Sequence, residues 1–102
     1  MSIVQTVTVQ IGNSDDRLTQ KEWSSYIKET HRTIQKHAQQ LHFTGGSSQS
    51  APWQNYCWVF NVSGSRRECK QLLVELVKEL GRVRHMFDQE SIAFSVGTTE
   101  FI

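Results

Sequence analysis

Cysteine is scarce in this 102-residue chain, occurring only as Cys57 and Cys69. Two thiols make no disulfide framework, so a hydrophobic core has to hold the fold, and a reducing, cytoplasmic setting is the expectation. Apolar runs are short. None approaches the ~20 residues of a membrane-spanning helix, and there is no export leader of the charged-then-apolar kind. Net charge is only +1, so no global field draws the chain to nucleic acid, and any anion site must be a local cluster. Asn61-Val62-Ser63 matches the glycosylation pattern, but without an export signal it reads as coincidence. No nucleophile with a base, paired carboxylates or zinc spacing is visible, which leaves an enzyme as the least supported class.

What the chain does have is one strongly apolar, aromatic run, Pro52 to Val62, with two of its three tryptophans. Aromatic and β-branched residues favour a half-buried pleated surface, so the run is expected to be a central strand. Alternation places Tyr56, Trp58, Phe60 and Val62 on one face and Cys57, Val59 and Asn61 on the other. Before it, Ile3 to Ile11 alternates as a first strand with Val7, Val9 and Ile11 facing one way. Gly12 to Asp16 is a turn. Thr19-Gln20-Lys21-Glu22 is a capping box opening a helix with Trp23, Ile27, Ile34, Ala38 and Leu41 at helical spacing. Gln40 to Thr44 is a short strand with Leu41 and Phe43 pointing together, and Gly45 to Ser50 is a loop.

A second capping box, Ser65-Arg66-Arg67-Glu68, opens a helix with Cys69, Leu72, Leu73, Leu76, Val77 and Leu80 inward. Gly81 stands where a C-cap glycine belongs, and Arg82 to Glu90 then forms a charged connector. Ser91 to Val96 alternates as a last strand, which Phe101-Ile102 extends or leaves to dock elsewhere. The order β-α-β-β-α-β over residues 1–102 predicts a single α+β domain: a ferredoxin-like sandwich with two helices on one face of a four-stranded antiparallel sheet. On this reading Val7, Val9 and Ile11 lie under the helices beside Cys57 and Val59. Tyr56, Trp58 and Phe60 are then left on the open face, where an uncovered aromatic stripe calls for a partner.

Asn55-Tyr56-Cys57-Trp58-Val59, on the third strand of such a sheet, resembles the RNA-recognition motif family. Tyr56 and Trp58 match its base-stacking aromatics, which implies a weak single-stranded RNA-binding module. Gln10 departs from that family's first-strand aromatic, and no Lys or Arg precedes Tyr56. The stretches Ile11 to Asp16, Leu18 to Trp23 and Ala51 to Asn55 also resemble short α+β proteins carried by phages and bacteria. That likeness implies binding of a host protein or of a nucleotide signal. The plainer use of the aromatic face is homo-oligomerisation, with Tyr56, Trp58 and Phe60 in the interface.

Arg66, Arg67 and Lys70 start the second helix, where free amides favour anions, and Arg82, Arg84 and His85 follow its other end. Each cluster reads most simply as a solvated face, but in an oligomer the two could line one anion pocket. The expectation is therefore a non-enzymatic, cytoplasmic, homo-oligomeric protein that binds an anionic nucleotide-type molecule and needs no cofactor or metal. Arg82 and Arg84, or Arg66 and Arg67, would hold phosphate, and Trp53 or Trp58 would stack the base. The alternatives are an inhibitor of a host protein and the RNA module. His31, His37, His42 and His85 read as surface or edge residues, Asp15 and Asp16 as helix-dipole partners, and Cys57 and Cys69 as core packing.

Overall fold

The computed structural model describes residues 2–13, 17–47, 54–100 and 102. Along the chain run β1 (Ile3–Gly12), α1 (Gln20–His37), β2 (Gln40–Gly46), β3 (Asn55–Gly64), α2 (Arg66–Met86) and β4 (Ala93–Thr98). The strands form one antiparallel sheet in the order β2-β3-β1-β4, and both helices close over one face. This is the ferredoxin-like β-α-β-β-α-β sandwich that the periodicities predict. The turn residues Asp15 and Asp16, the loop tip Ser48–Ser50, Trp53 and Phe101 lie outside the described residues, so those expectations have no structural account.

Both helices begin where their capping boxes stand. The Thr19 hydroxyl accepts from the Glu22 amide at 3.1 Å while the Glu22 carboxylate accepts from the Thr19 amide at 2.9 Å. Ser65 and Glu68 repeat the exchange at 3.1 and 2.9 Å. Those amide bonds hold the Glu22 and Glu68 carboxyls below the usual carboxylate range. In α1 the buried stripe is Trp23, Tyr26, Thr30, Thr33 and Ile34. Two threonines are tolerated there because each hydroxyl donates to the carbonyl one turn back, Thr30 to Tyr26 at 2.8 Å and Thr33 to Glu29 at 3.0 Å.

The expected pairing of faces is overturned. β1 and β3 pair so that Val7 stands opposite Phe60, Val9 opposite Trp58 and Ile11 opposite Tyr56. Residues directly opposite in an antiparallel pair share a face. The aromatic stripe therefore lies under the helices with Val7, Val9 and Ile11, and Trp58, Phe60 and Val62 are fully buried. Cys57 and Val59 face the other way, so only Cys69 of the two thiols is a core atom. Energy decides this parity. Each aromatic removes ~150–250 Å² from water, far more than Cys57, Val59 and Asn61 can offer.

Two further expectations fail for local reasons. Leu41 pairs with Phe60 but Phe43 with Val59, so a β-bulge at His42 turns Leu41 and Phe43 to opposite faces. Gly81 is no cap: α2 continues to Met86. Its end is a Schellman motif, in which the Asp88 amide bonds the His85 carbonyl at 3.0 Å and the Gln89 amide the Arg84 carbonyl at 3.0 Å. Asp88 holds the left-handed position at φ 52° that glycine usually takes. Val83 is buried, and Phe87 stacks on Tyr26 with centroids 5.0 Å apart. Burial pushes the Tyr26 phenol up to about 12.

Candidate functional site

Trp58 has no free ring face. It is fully buried, its indole nitrogen donates to His31 Nδ1 at 2.9 Å, and half-buried Tyr56 packs on it with centroids 4.9 Å apart. Because an indole N–H can only donate, His31 Nδ1 is the acceptor and a neutral His31 carries its proton on Nε2. Tyr56, Trp58 and Phe60 are thus spent on the chain's own core. Neither a base, nor a second subunit, nor a host protein reaches Trp58 or Phe60 unless the helices lift away. The expected interface, and the stacking that the RNA-recognition resemblance implies, are both displaced by this arrangement.

The open face of the sheet has a different character. It carries Val4, Thr6, Thr8 and Gln10 from β1, Cys57, Val59 and Asn61 from β3, Phe43 from β2 and Ser95 from β4, with no charged residue. The Thr6 hydroxyl pairs with that of Thr99, and the face's two exposed large apolar residues, Val4 and Phe43, stand at different places on the sheet.

Four arginines were expected to hold phosphate, and the structure divides them. Arg66 opens α2 and, with Lys70 one turn on, stands at a groove of about 1010 Å³ whose apolar wall includes Ile3, Leu73, Val74 and Val77. Thr98, Thr99 and Gln5 add neutral polar groups on the sheet side. Arg67 is exposed in the same first turn but does not line the groove. Arg84 lines a second hollow of about 360 Å³ with Val77, Leu80, Gly81, Ile92 and Phe94, and donates to the Gln89 carbonyl at 2.8 Å. Arg82 is exposed and lines neither hollow. Arg66 and Arg82 are sixteen positions apart, which on a helix is about 24 Å. Within one chain the two basic clusters do not converge.

Part of the apolar share of this groove, Leu73 and Val77, comes from residues that helical spacing placed inward. Val77 was expected inward but is 48% exposed, and Val74 beside it is 57% exposed. Helical periodicity marks an apolar stripe; it does not say how much of that stripe the sheet can cover. Val96 of β4, on the same side of the sheet as Val7, is 39% exposed.

Among the described residues, a bonded His–carboxylate pair lies elsewhere. His37 of α1 bonds Glu79 of α2 at 2.7 Å, clamping the helices together, and this hydrogen bond holds the Glu79 carboxyl low. At the β1–α1 junction, buried Asn13 donates to the Leu18 carbonyl at 3.0 Å and the Gln54 side chain at 3.1 Å, and Gln54 also pairs with Gln20. That network ties two loops and presents no nucleophile. Among the described residues no three His, Cys, Asp or Glu side chains gather as a metal site, and no helix is long and apolar enough to cross a membrane.

No protein-family model and no curated protein matches the chain. Solved structures do share its fold. A de novo designed protein, Foldit4, superposes with a TM-score of 0.55 at 6% identity, over 98% of this chain and 100% of its own. A protein of unknown role from Galdieria sulphuraria gives 0.53 at 13% identity, with 97% of this chain covering 51% of that one. A hydantoinase/carbamoylase family amidase from Burkholderia ambifaria gives 0.56 at 9% identity. The chain spans half of the Galdieria protein and 28% of the amidase. At these identities the likeness concerns the fold alone.

Proposed function

We propose that the protein is a non-enzymatic, cytoplasmic, homo-oligomeric binding protein that takes an anionic small molecule in the groove beside the start of α2. The observation that carries this reading is the coincidence of Arg66 and Lys70, one turn apart, with an apolar wall of half-buried Leu73 and exposed Val74 and Val77. Arg66 offers a planar fork of donors and Lys70 a point charge, a pairing suited to phosphate or carboxylate. Thr98 and Thr99 supply hydroxyls, and the valines receive the ligand's apolar body. A nucleotide enters this reading through its phosphate, with its base or sugar lying on the valines, because Trp58 is closed off in the core. Two free thiols accord with a reducing compartment.

The test is calorimetric titration with pyrophosphate, hexyl phosphate and a panel of mono-, di- and cyclic nucleotides. At least one should bind saturably, and Arg66→Ala with Lys70→Ala should abolish the heat while leaving the thermal midpoint in place, both side chains being exposed. Absence of any saturable heat at millimolar ligand refutes the reading.

A further inference from the structure

The two edges of the sheet are built differently. β2 is interrupted by the bulge at His42, the kind of irregularity that discourages a further strand. β4, Ala93-Phe94-Ser95-Val96-Gly97-Thr98, is regular, uncharged and free of proline, and among the described residues nothing pairs with its outer edge. It therefore lacks every sequence device that protects an edge. Val74 and Val77 of α2, which line a groove with Thr98 of this strand, are exposed, as is Val96 of β4 itself.

We infer that a second copy of this chain seats on this flank, pairing β4 with β4 about a two-fold axis into a continuous eight-stranded sheet. An isologous pairing of one edge with itself is antiparallel, so the two α2 helices also run antiparallel over the seam and cover the exposed valines. Val77 lines both hollows, and the proposed axis passes beside it. Lys70 stands about two turns before it and Arg84 about two turns after, both on this flank. The axis therefore sets Lys70 and Arg66 of one copy against Arg84 of the second. The basic clusters that one chain keeps apart meet across the seam, twice.

This assembly rests on the anion-binding reading above and gives it a second wall. Like charges brought together oppose pairing unless an anion lies between them, so ligand and second copy bind cooperatively. Gly81 fits the same picture. A Cβ there would meet no described atom within 4 Å beyond its chain neighbours and its own helix backbone, so no close packing contact requires glycine in mid-helix, and a neighbouring helix can approach closely. The open sheet face is the weaker candidate for self-association because it offers no comparable apolar cluster.

The experiment is sedimentation of the full chain with and without sodium pyrophosphate, alongside calorimetry of the same samples. A reversible monomer–dimer equilibrium is expected, with the dimer dissociation constant falling at least tenfold in pyrophosphate. Val77→Lys with Val96→Lys should give folded monomers in both buffers, and Arg84→Ala should remove most of the pyrophosphate effect while the dimer persists. A wild-type monomer that still binds pyrophosphate overturns the assembly and leaves the binding function standing. A monomer that binds none sinks both. A dimer indifferent to the valine substitutions assigns self-association to another surface and overturns the proposal.

Discussion

Replacing Gly81 by alanine tests whether α2 is an uninterrupted helix through the position that its sequence marks as an end. Glycine in a helix interior costs about 0.5–1 kcal/mol relative to alanine, because it gives up more backbone freedom on folding. That gain is lost if the new methyl group clashes, and here nothing beyond its chain neighbours and its own helix backbone lies within 4 Å. The net change should thus be a stabilisation of about 0.5–1 kcal/mol. For a domain of about 100 residues, 1 kcal/mol moves the thermal midpoint by roughly 4–8 °C, so Gly81→Ala should melt about 2–8 °C higher. The measurement is far-ultraviolet circular dichroism at low micromolar protein in phosphate-free buffer, where self-association contributes least. An unchanged or lower midpoint would show that the helix does not run through Gly81 as described, and would remove the case for a glycine kept for a neighbour's approach.

Other consequences of the geometry are equally direct. Asp88→Gly relieves the left-handed backbone at the Schellman position and should stabilise by about 0.5–1 kcal/mol in urea denaturation. Thr19→Ala and Ser65→Ala each remove a hydroxyl that caps a helix and should each cost about 1 kcal/mol by the same measurement. Trp58→Glu should abolish cooperative folding, because it buries a charge in the core; a folded monomer would contradict the assigned face. Glu22, Glu68 and Glu79 are held below their ordinary value of 4.5 by hydrogen bonds. Their stabilising contribution is therefore complete above pH 4.5 and lost as pH falls through the lower folded values. The triple Gln variant should flatten the decline in urea midpoint below pH 4.5.

The elements were legible because their causes are local. Two capping boxes place both helix starts to the residue, and alternation in Ile3–Ile11 and in Tyr56–Val62 declares strands. What sequence could not give is parity between strands. Alternation groups Val7 with Val9, and Trp58 with Phe60, but only the pairing register joins the two groups. The greater area of the aromatics was the available signal for which set goes inside. The bulge at His42 has no comparable signal, since an inserted residue follows from pairing along the whole edge. Gly81 misled because a glycine near a helix end is usually its cap, whereas Asp88 takes that conformation seven positions later. As for the groove, Arg66 and Lys70 were visible at a helix start. The coverage that leaves Val74 and Val77 exposed beside them depends on where the sheet ends.

Burying the aromatic strand moves the search for function to the periphery. With helices on one face, a four-stranded sheet keeps its open face, its β2 edge and its β4 edge with the adjoining flank of α2. The open face is uncharged but rich in hydroxyls and amides that water serves well, and the β2 edge is broken by its bulge. Among the described residues, only at the α2–β4 flank do three features of separate origin coincide: a regular edge, apolar side chains left uncovered, and basic side chains beside each of the two hollows. Edge regularity is a matter of strand composition, exposed valines of helix placement, and Arg66, Lys70 and Arg84 of helix phase. None of these requires another, so their meeting on one surface argues that the surface is used, and the alternative of three unrelated accidents must explain each separately.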